Sequence, residues 1–243
     1  MSIRKKILAI SIGPVLVLGV ITLLFMLTMV KSSLMDEVQD ALKGTAAATL
    51  AAYDQNTGDY LESTNGDIWK GSYNISKSES LVDRIKENTG MDVTFFYGNK
   101  RIMTSALDKK GNRILGSEAG ERVVNQVIKG KKPFFSTNVS LDGTRNYGYF
   151  IPVYQNGTTD QVIGMVFVGT NKARKDAIVN KILGSIMMAW LVVMLLCIVT
   201  AMRMAASISK NIKNSVAVVG KLADGDLNVW VDEKLLKRKD EIG

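Results

Sequence analysis

The side chains that could do chemistry in this chain are bounded first by a zero. Among 243 residues there is no histidine. Ser-His and Cys-His nucleophilic machinery, histidine-ligated metals and histidine phosphorylation therefore have no place here. An enzyme built from these residues would run on carboxylates, lysines and tyrosines alone. The single cysteine, Cys197, falls inside an uncharged run, so no intrachain disulfide can form. Lys129, Lys131 and Lys132 make a basic cluster, but no aromatic residues interleave with them on a shared face, which argues against nucleic acid. The Asn-x-Ser/Thr triplets at Asn74, Asn138 and Asn156 are short enough to arise by chance. The expectation is a protein that binds rather than catalyses, with no cofactor and no metal.

The elements that would position a binding site are set by two apolar runs. Ile182 to Met202 carries no charge, and at about 1.5 Å per helical residue it reaches the roughly 30 Å of a bilayer's hydrocarbon core. Ile7 to Val30 is a second such run, preceded by Arg4, Lys5 and Lys6 and broken only by Gly13, Pro14 and a few hydroxyls. A cleaved signal peptide would carry only about 7 to 15 apolar residues followed by a small-residue cleavage site. This run is longer and leads into Lys31, Asp36 and Glu37, so an uncleaved first transmembrane helix is predicted. The net charge of +8 sits disproportionately on the flanks of the two runs. By the positive-inside rule, residues 1–6 and the chain from Arg203 are placed in the cytoplasm and residues 31–181 outside, in a multi-pass protein of the cell membrane.

Between the runs the periodicity changes several times. Leu34, Val38, Ala41, Leu42, Thr45, Ala48, Thr49 and Ala52 recur at helical steps, a narrow stripe of small and apolar side chains that fits a sheet of the same chain and the same helix of a second copy. Gly58 and the polar residues around Asn65 and Gly66 end it. Ser78 to Asn88 reads as a short helix stopped by Gly90. Val93 to Tyr97 and Arg101 to Ala106 read as a hairpin about Gly98-Asn99, and Glu118 to Lys129 as a helix capped by Gly130. Pro133 to Ser140, Arg145 to Tyr154 and Gln161 to Thr170 read as three further strands, reversed at Asp142-Gly143 and Asn156-Gly157. The predicted class is a mixed α/β fold of the α+β kind, with a five-stranded antiparallel sheet behind a long N-terminal helix.

The run VTFFYGNKRIMTSALDKKGNRILGSEA, followed by YGYFIPVYQNGTTDQVIGMVFVG just before an apolar helix, resembles the single Cache (PAS-like) sensor domain of bacterial chemoreceptors and sensor kinases. The resemblance covers roughly residues 31–181. It implies a ligand lying over the sheet, between the first two strands and the later aromatic strands, at positions matching Phe96, Arg101, Thr104, Tyr147 and Tyr149. Arg101 could grip a carboxylate through two parallel N–H···O bonds, with Thr104 and a tyrosine hydroxyl adding neutral hydrogen bonds. Because Arg101 and Thr104 are three apart, both can reach one ligand only if the strand bends or bulges. Lys131, Lys132 and Arg145 either add positive potential or, as loop residues, are simply solvated.

After Arg203, Ile208, Ile212, Val216, Val219 and Leu222 form a second apolar stripe, followed by Ala223-Asp224-Gly225 and, further on, Lys239-Asp240-Glu241-Ile242-Gly243. This is similar to a HAMP linker. The resemblance implies a turn at Gly225, hydrophobic connector anchors at Leu227 and Val231, and a second-helix start at Asp240 and Glu241. Asn211 stands where a HAMP helix usually has proline. Residues 203–243 would hold only part of the linker, which reads as a fragment of a longer receptor. A lone one-stripe helix of this kind is marginal in water and needs partners.

The order of parts predicts the input module of a receptor of the methyl-accepting chemotaxis type. It would form a homodimer, bind a small organic acid or similar molecule outside the membrane, and pass a signal inward to a kinase and adaptor through a further C-terminal part. The alternative of a different class is the sensor half of a membrane histidine kinase or nucleotide cyclase. A membrane-anchored binding module without output is a third.

Overall fold

The computed structural model describes residues 3–225. The chain divides into two compact units, one of residues 31–181 and one made by the segments on either side of it. Helix α1 runs Ile3–Asp54 and the last helix, α4, runs Lys172–Ala223. Both are long and apolar enough to cross a membrane, and the most apolar windows of the two are 0% and 6% buried. A core helix of a water-soluble protein would bury its apolar side chains. Here Val17, Leu18, Phe25, Leu195 and Leu196 are exposed. Within this unit the indole Nε1 of Trp190 donates to the Gly19 carbonyl at 3.1 Å. A Cβ at Gly19 would meet Met194 Sδ at 2.9 Å, so glycine lets the two helices approach.

The folded unit begins with the C-terminal part of α1. Val38, Leu42, Ala46, Thr49 and Tyr53, at four- and three-residue steps, are its buried edge. The expected stripe was broader. Ala48 is exposed and Ala41, Thr45 and Ala52 are only half-buried, because the sheet receives one edge of the helix rather than the whole small-residue face. A small antiparallel sheet follows, made of β1 (Tyr60–Glu62), β2 (Ile68–Lys70) and β3 (Tyr73–Asn74). Strands this short carry no readable alternation. Lys70, 3% exposed, anchors this sheet, since its ammonium lies 2.6 Å from Asp54 Oδ1 and 4.1 Å from the centroid of the Tyr60 ring. Gln155 completes the anchor by accepting from the Tyr60 N–H and donating to the Tyr60 carbonyl. Burial and the neighbouring Asp54 carboxylate push the Tyr60 phenol far above its usual range.

Helix α2 (Glu79–Thr89) ends at Gly90, whose φ of 69° makes it the left-handed cap. Strands β4 (Asp92–Tyr97), β5 (Lys100–Thr104), β6 (Phe134–Leu141), β7 (Thr144–Tyr154) and β8 (Val162–Asn171) form the expected five-stranded antiparallel sheet, in the order β5-β4-β8-β7-β6. The β6–β7 hairpin closes on Asp142 and Gly143, both at positive φ, as a two-residue turn requires. The helix expected from Glu118 is shorter: α3 (Glu121–Val123) passes into a π-helical segment, Val124–Lys129. Glu118 is extended and bridges Lys100 on the open edge of β5. Gly130 does not adopt the left-handed cap predicted for it, since its φ is −81°. Glycine serves there because a Cβ would lie 2.6 Å from the Gln126 carbonyl oxygen.

Alternate residues of the central strands point to opposite faces. Val93, Phe95, Val166, Val168 and Val153 join the α1 side, packed with Leu42, Ala46 and Tyr53. Phe96, Phe150, Met165 and Phe167 join the other side with Val127 and Leu141. Among the described residues, the second face is covered by the α3 segment and the loop before it, and it holds the cavity.

Candidate ligand-binding cavity

The cavity measures about 520 Å³ and is lined by Phe96, Phe150 and Phe167 from the sheet, Phe134 and Val139 from β6, and Ala119, Gly120 and Val123 from the covering segment. Its floor is shaped by two glycines. A Cβ at Gly148 would fall 2.5 Å from the Phe167 ring and one at Gly169 2.4 Å from it. These cross-strand partners leave the space in which Phe167 lies flat on the sheet. The covering segment is held along β5 by backbone bonds: Arg101 N–H to the Ser117 carbonyl, Gly116 N–H to the Arg101 carbonyl, and Ala119 N–H to the Asn99 carbonyl.

Arg101 gives the cavity its charge. It is 8% exposed, and among the described residues the only hydrogen bond from its guanidinium is a long one, 3.3 Å, from Nη1 to the Ile114 carbonyl. Its Nε is buried without a partner among the described residues. The guanidinium carbon lies 5.4 Å from the centroid of the Phe96 ring, a cation–π contact that offsets part of the lost hydration. Burial lowers the pKa of this side chain, and the field of Asp92 acts the other way. A guanidinium keeps its proton in such surroundings, so the cavity contains a desolvated cation short of acceptors. Arg122 at the rim lies 5.5 Å over the Phe134 ring, and Glu118 is the one carboxylate in the lining.

Arg113, close by in sequence, is the opposite case. Its two terminal nitrogens reach the two oxygens of Asp83 at 2.9 and 2.5 Å, and Nη1 also reaches the Thr104 carbonyl. Hydrogen bonding to Arg113 holds the Asp83 carboxyl below its usual range. This pair ties α2 to the end of β5 and is not a binding site.

Of the positions carried over from the resemblance, Phe96 and Arg101 line the cavity, while Thr104, Tyr147 and Tyr149 do not. The bulge that the three-residue spacing demanded is present. The β4–β5 register shifts between Phe95 and Phe96, so Arg101 pairs with Phe96 and Thr104 with Thr94, which puts both on one face. Thr104 is nonetheless unavailable. Its hydroxyl bonds that of Thr94 at 2.7 Å and the Val93 carbonyl, and accepts from the Ala106 N–H. Tyr147 and Tyr149 project from the opposite face of the sheet, among the residues packed against α1. Strand alternation settles this, since Phe150, their neighbour on the cavity side, has the other parity. Sequence reasoning missed Phe134, Phe150, Phe167 and Arg122; strand parity with Phe96 was a signal for Phe150 and Phe167, and none pointed to Arg122.

Of the predicted relay residues, Gly225 takes φ 84°, just past the last helical residue of α4. Leu227, Val231, Asp240 and Glu241 lie outside the described residues. Helix α4 continues through Asn211, and Val216, Val219 and Leu222 of its stripe are exposed.

No curated protein matches the chain. Among solved structures, an extracellular ligand binding receptor from Desulfohalobium retbaense DSM5692 shares 14% identity over 63% of this chain and 26% of its own, with a TM-score of 0.45. The ligand-binding domain of Campylobacter jejuni chemoreceptor Tlp3, in complex with L-valine, shares 12% over 65% of this chain and 63% of its own, with a TM-score of 0.44. The chain thus spans less than two thirds of either. Residues 73–182 match the family described as single cache domain 3. The five-stranded sheet, its cavity and the strand that runs into α4 all lie in that range, so this part of the chain is similar to a single Cache domain.

Proposed function

We propose that this chain is the input module of a transmembrane receptor of the chemotaxis type, and that its cavity binds a small organic acid through Arg101. The observation that carries this reading is the guanidinium itself, nine-tenths buried in the lining of a 520 Å³ cavity, with one long hydrogen bond and an Nε that has no partner among the described residues. A buried cation without a counter-ion is costly, and a bound carboxylate would remove that cost while its apolar body packs on Phe96, Phe134, Phe150 and Phe167. Thr104 would support the site by holding β4 to β5, and Tyr147 and Tyr149 would support it from behind the sheet.

The apolar lengths of α1 and α4 support a reading in which both cross the membrane, with residues 31–181 outside, following the basic residues at 4–6 and at Arg203. The anion would stabilise the arrangement in which the covering segment closes on Arg101, and the shift would pass along β8 into α4, which follows it without a break. A coupling of about 1 to 3 kcal/mol is enough to bias a two-state linker. The exposed stripe of Val216, Val219 and Leu222 supports a homodimer in which this HAMP-like helix meets its copy, with kinase and adaptor acting further along the receptor.

Calorimetric titration of the full chain in lipid nanodiscs, with a panel of organic acids and amino acids, tests the reading. At least one carboxylate should bind, and Arg101→Ala should lose it. Equal binding by Arg101→Ala would refute the site.

A further inference from the structure

Tyr147 has a surrounding that ligand binding does not explain. Its ring, 2% exposed, stacks on Phe135 of β6 at 6.3 Å with the planes 8° apart. Its hydroxyl donates to Asp176 Oδ1 and accepts from Lys172 Nζ at 2.6 Å, and the same ammonium lies 4.1 Å over its ring and 3.3 Å from Asp176 Oδ2. Lys172 is the first residue of α4 and Asp176 lies one turn further along it. The backbone of Tyr147 pairs with Thr170, just before that helix begins. The start of α4 is therefore held twice, once through the chain from β8 and once sideways by a phenol on β7.

The strand that carries the stack is also a wall of the cavity. Phe135 holds its ring on the α1 side with Tyr147, while β6 around it lines the cavity from the other face through Phe134, Ser136 and Val139, and the β6–β7 register is irregular between Ser136 and Val139. Thr137 and Asn138 there have no register partner on β7, although both line the cavity, so this stretch of β6 can move without breaking a ladder.

We propose that Phe135 and Tyr147 form a lateral relay: displacement of β6 at the cavity wall turns the stacked Tyr147 ring, and its hydroxyl carries the first turn of α4 with it. This rests on the reading of the cavity as a ligand site, and it makes Tyr147 a positioning residue on the output side rather than a ligand contact. Two aromatic planes in contact transmit tilt, and the charge-assisted bonds to Lys172 and Asp176 are short enough to hold through it.

The test is a double-mutant cycle that uses no ligand. Amide hydrogen exchange of the first two turns of α4 is measured on the full chain in nanodiscs and normalised to the amides of β4. Phe135→Leu should speed that exchange about fivefold, Tyr147→Phe by a similar factor, and the double variant no more than Tyr147→Phe alone. Lys172→Gln, which leaves the aromatic stack whole, should reproduce Tyr147→Phe. A merely structural Tyr147 would move β4 and α4 amides together. The relay is overturned if Phe135→Leu leaves α4 unchanged, or if its effect is the same size with and without the Tyr147 hydroxyl. Neither result touches Arg101, whose role the acid titrations decide separately.

Discussion

The two faces of the central sheet are made by alternate residues of the same strands, yet one is sealed and the other is hollow. On the α1 side, Phe95, Val93, Val166 and Val168 are fully buried under a helix whose matching edge is Leu42, Ala46 and Tyr53. On the far side Phe96, Phe150 and Phe167 are just as apolar, but the covering segment is a short π-distorted helix and a loop, which leave space beside them. Aromatic content does not separate the faces. What separates them is the length and regularity of the cover, and the placing of a single arginine. Arg113, outside the cavity, has both oxygens of Asp83, whereas Arg101, inside it, has almost nothing. The same side chain is an anchor at Arg113, where a carboxylate is built against it, and among the described residues is left unpaired at Arg101, which supports the proposed role of Arg101 as an anion receptor.

The largest expected effect tests the sealed face. Phe95→Ala should cost about 3 to 5 kcal/mol in chemical denaturation, against roughly 1 kcal/mol for Phe134→Ala beside the cavity. Equal losses would erase the distinction. Next comes the cavity floor: Gly148→Ala forces a methyl group against the Phe167 ring and should cost about 1 to 3 kcal/mol, read in the same way.

The two arginines sharpen the comparison further. In the absence of ligand, Arg101→Met should be neutral or stabilise by about 1 kcal/mol, because it removes a buried cation that lacks a counter-ion. Arg113→Met should destabilise, since it strands Asp83 and the Thr104 carbonyl. A thermal shift of the same sign for both would contradict the contrast drawn between them.

The smallest effect is one of pH. Asp83 titrates below its unfolded value of about 3.9. The stability it contributes is present above that value and is lost as pH falls through the lower, folded pKa. With its side chain 44% exposed the term should stay under about 1 kcal/mol, and it should vanish from the acid limb of the stability profile in Arg113→Met.

Much of this architecture was readable in advance because it rests on local rules. Uncharged run length marks the two long helices, period-two patterning with Asp142-Gly143 marks the hairpins, and Gly90 marks a helix end. The site was less readable. Of the carried-over positions, Phe96 and Arg101 line the cavity, whereas Tyr147 and Tyr149 have the parity that faces α1. The pairing shift at Phe95/Phe96 was required by the spacing of Arg101 and Thr104, but nothing in the spacing reveals that Thr94 and Val93 already occupy the Thr104 hydroxyl. β1, β2 and β3 are too short to show a period at all.

The linear chain by itself determined which segments are helical, extended or apolar, since those properties follow from neighbours a few residues apart. Only the tertiary structure decided which face of the sheet stays hollow, that Arg101 is left without an acceptor, and that Tyr147 reaches the first turn of α4. Each of these depends on strand register and on what covers a surface, and both are set by residues tens of positions away.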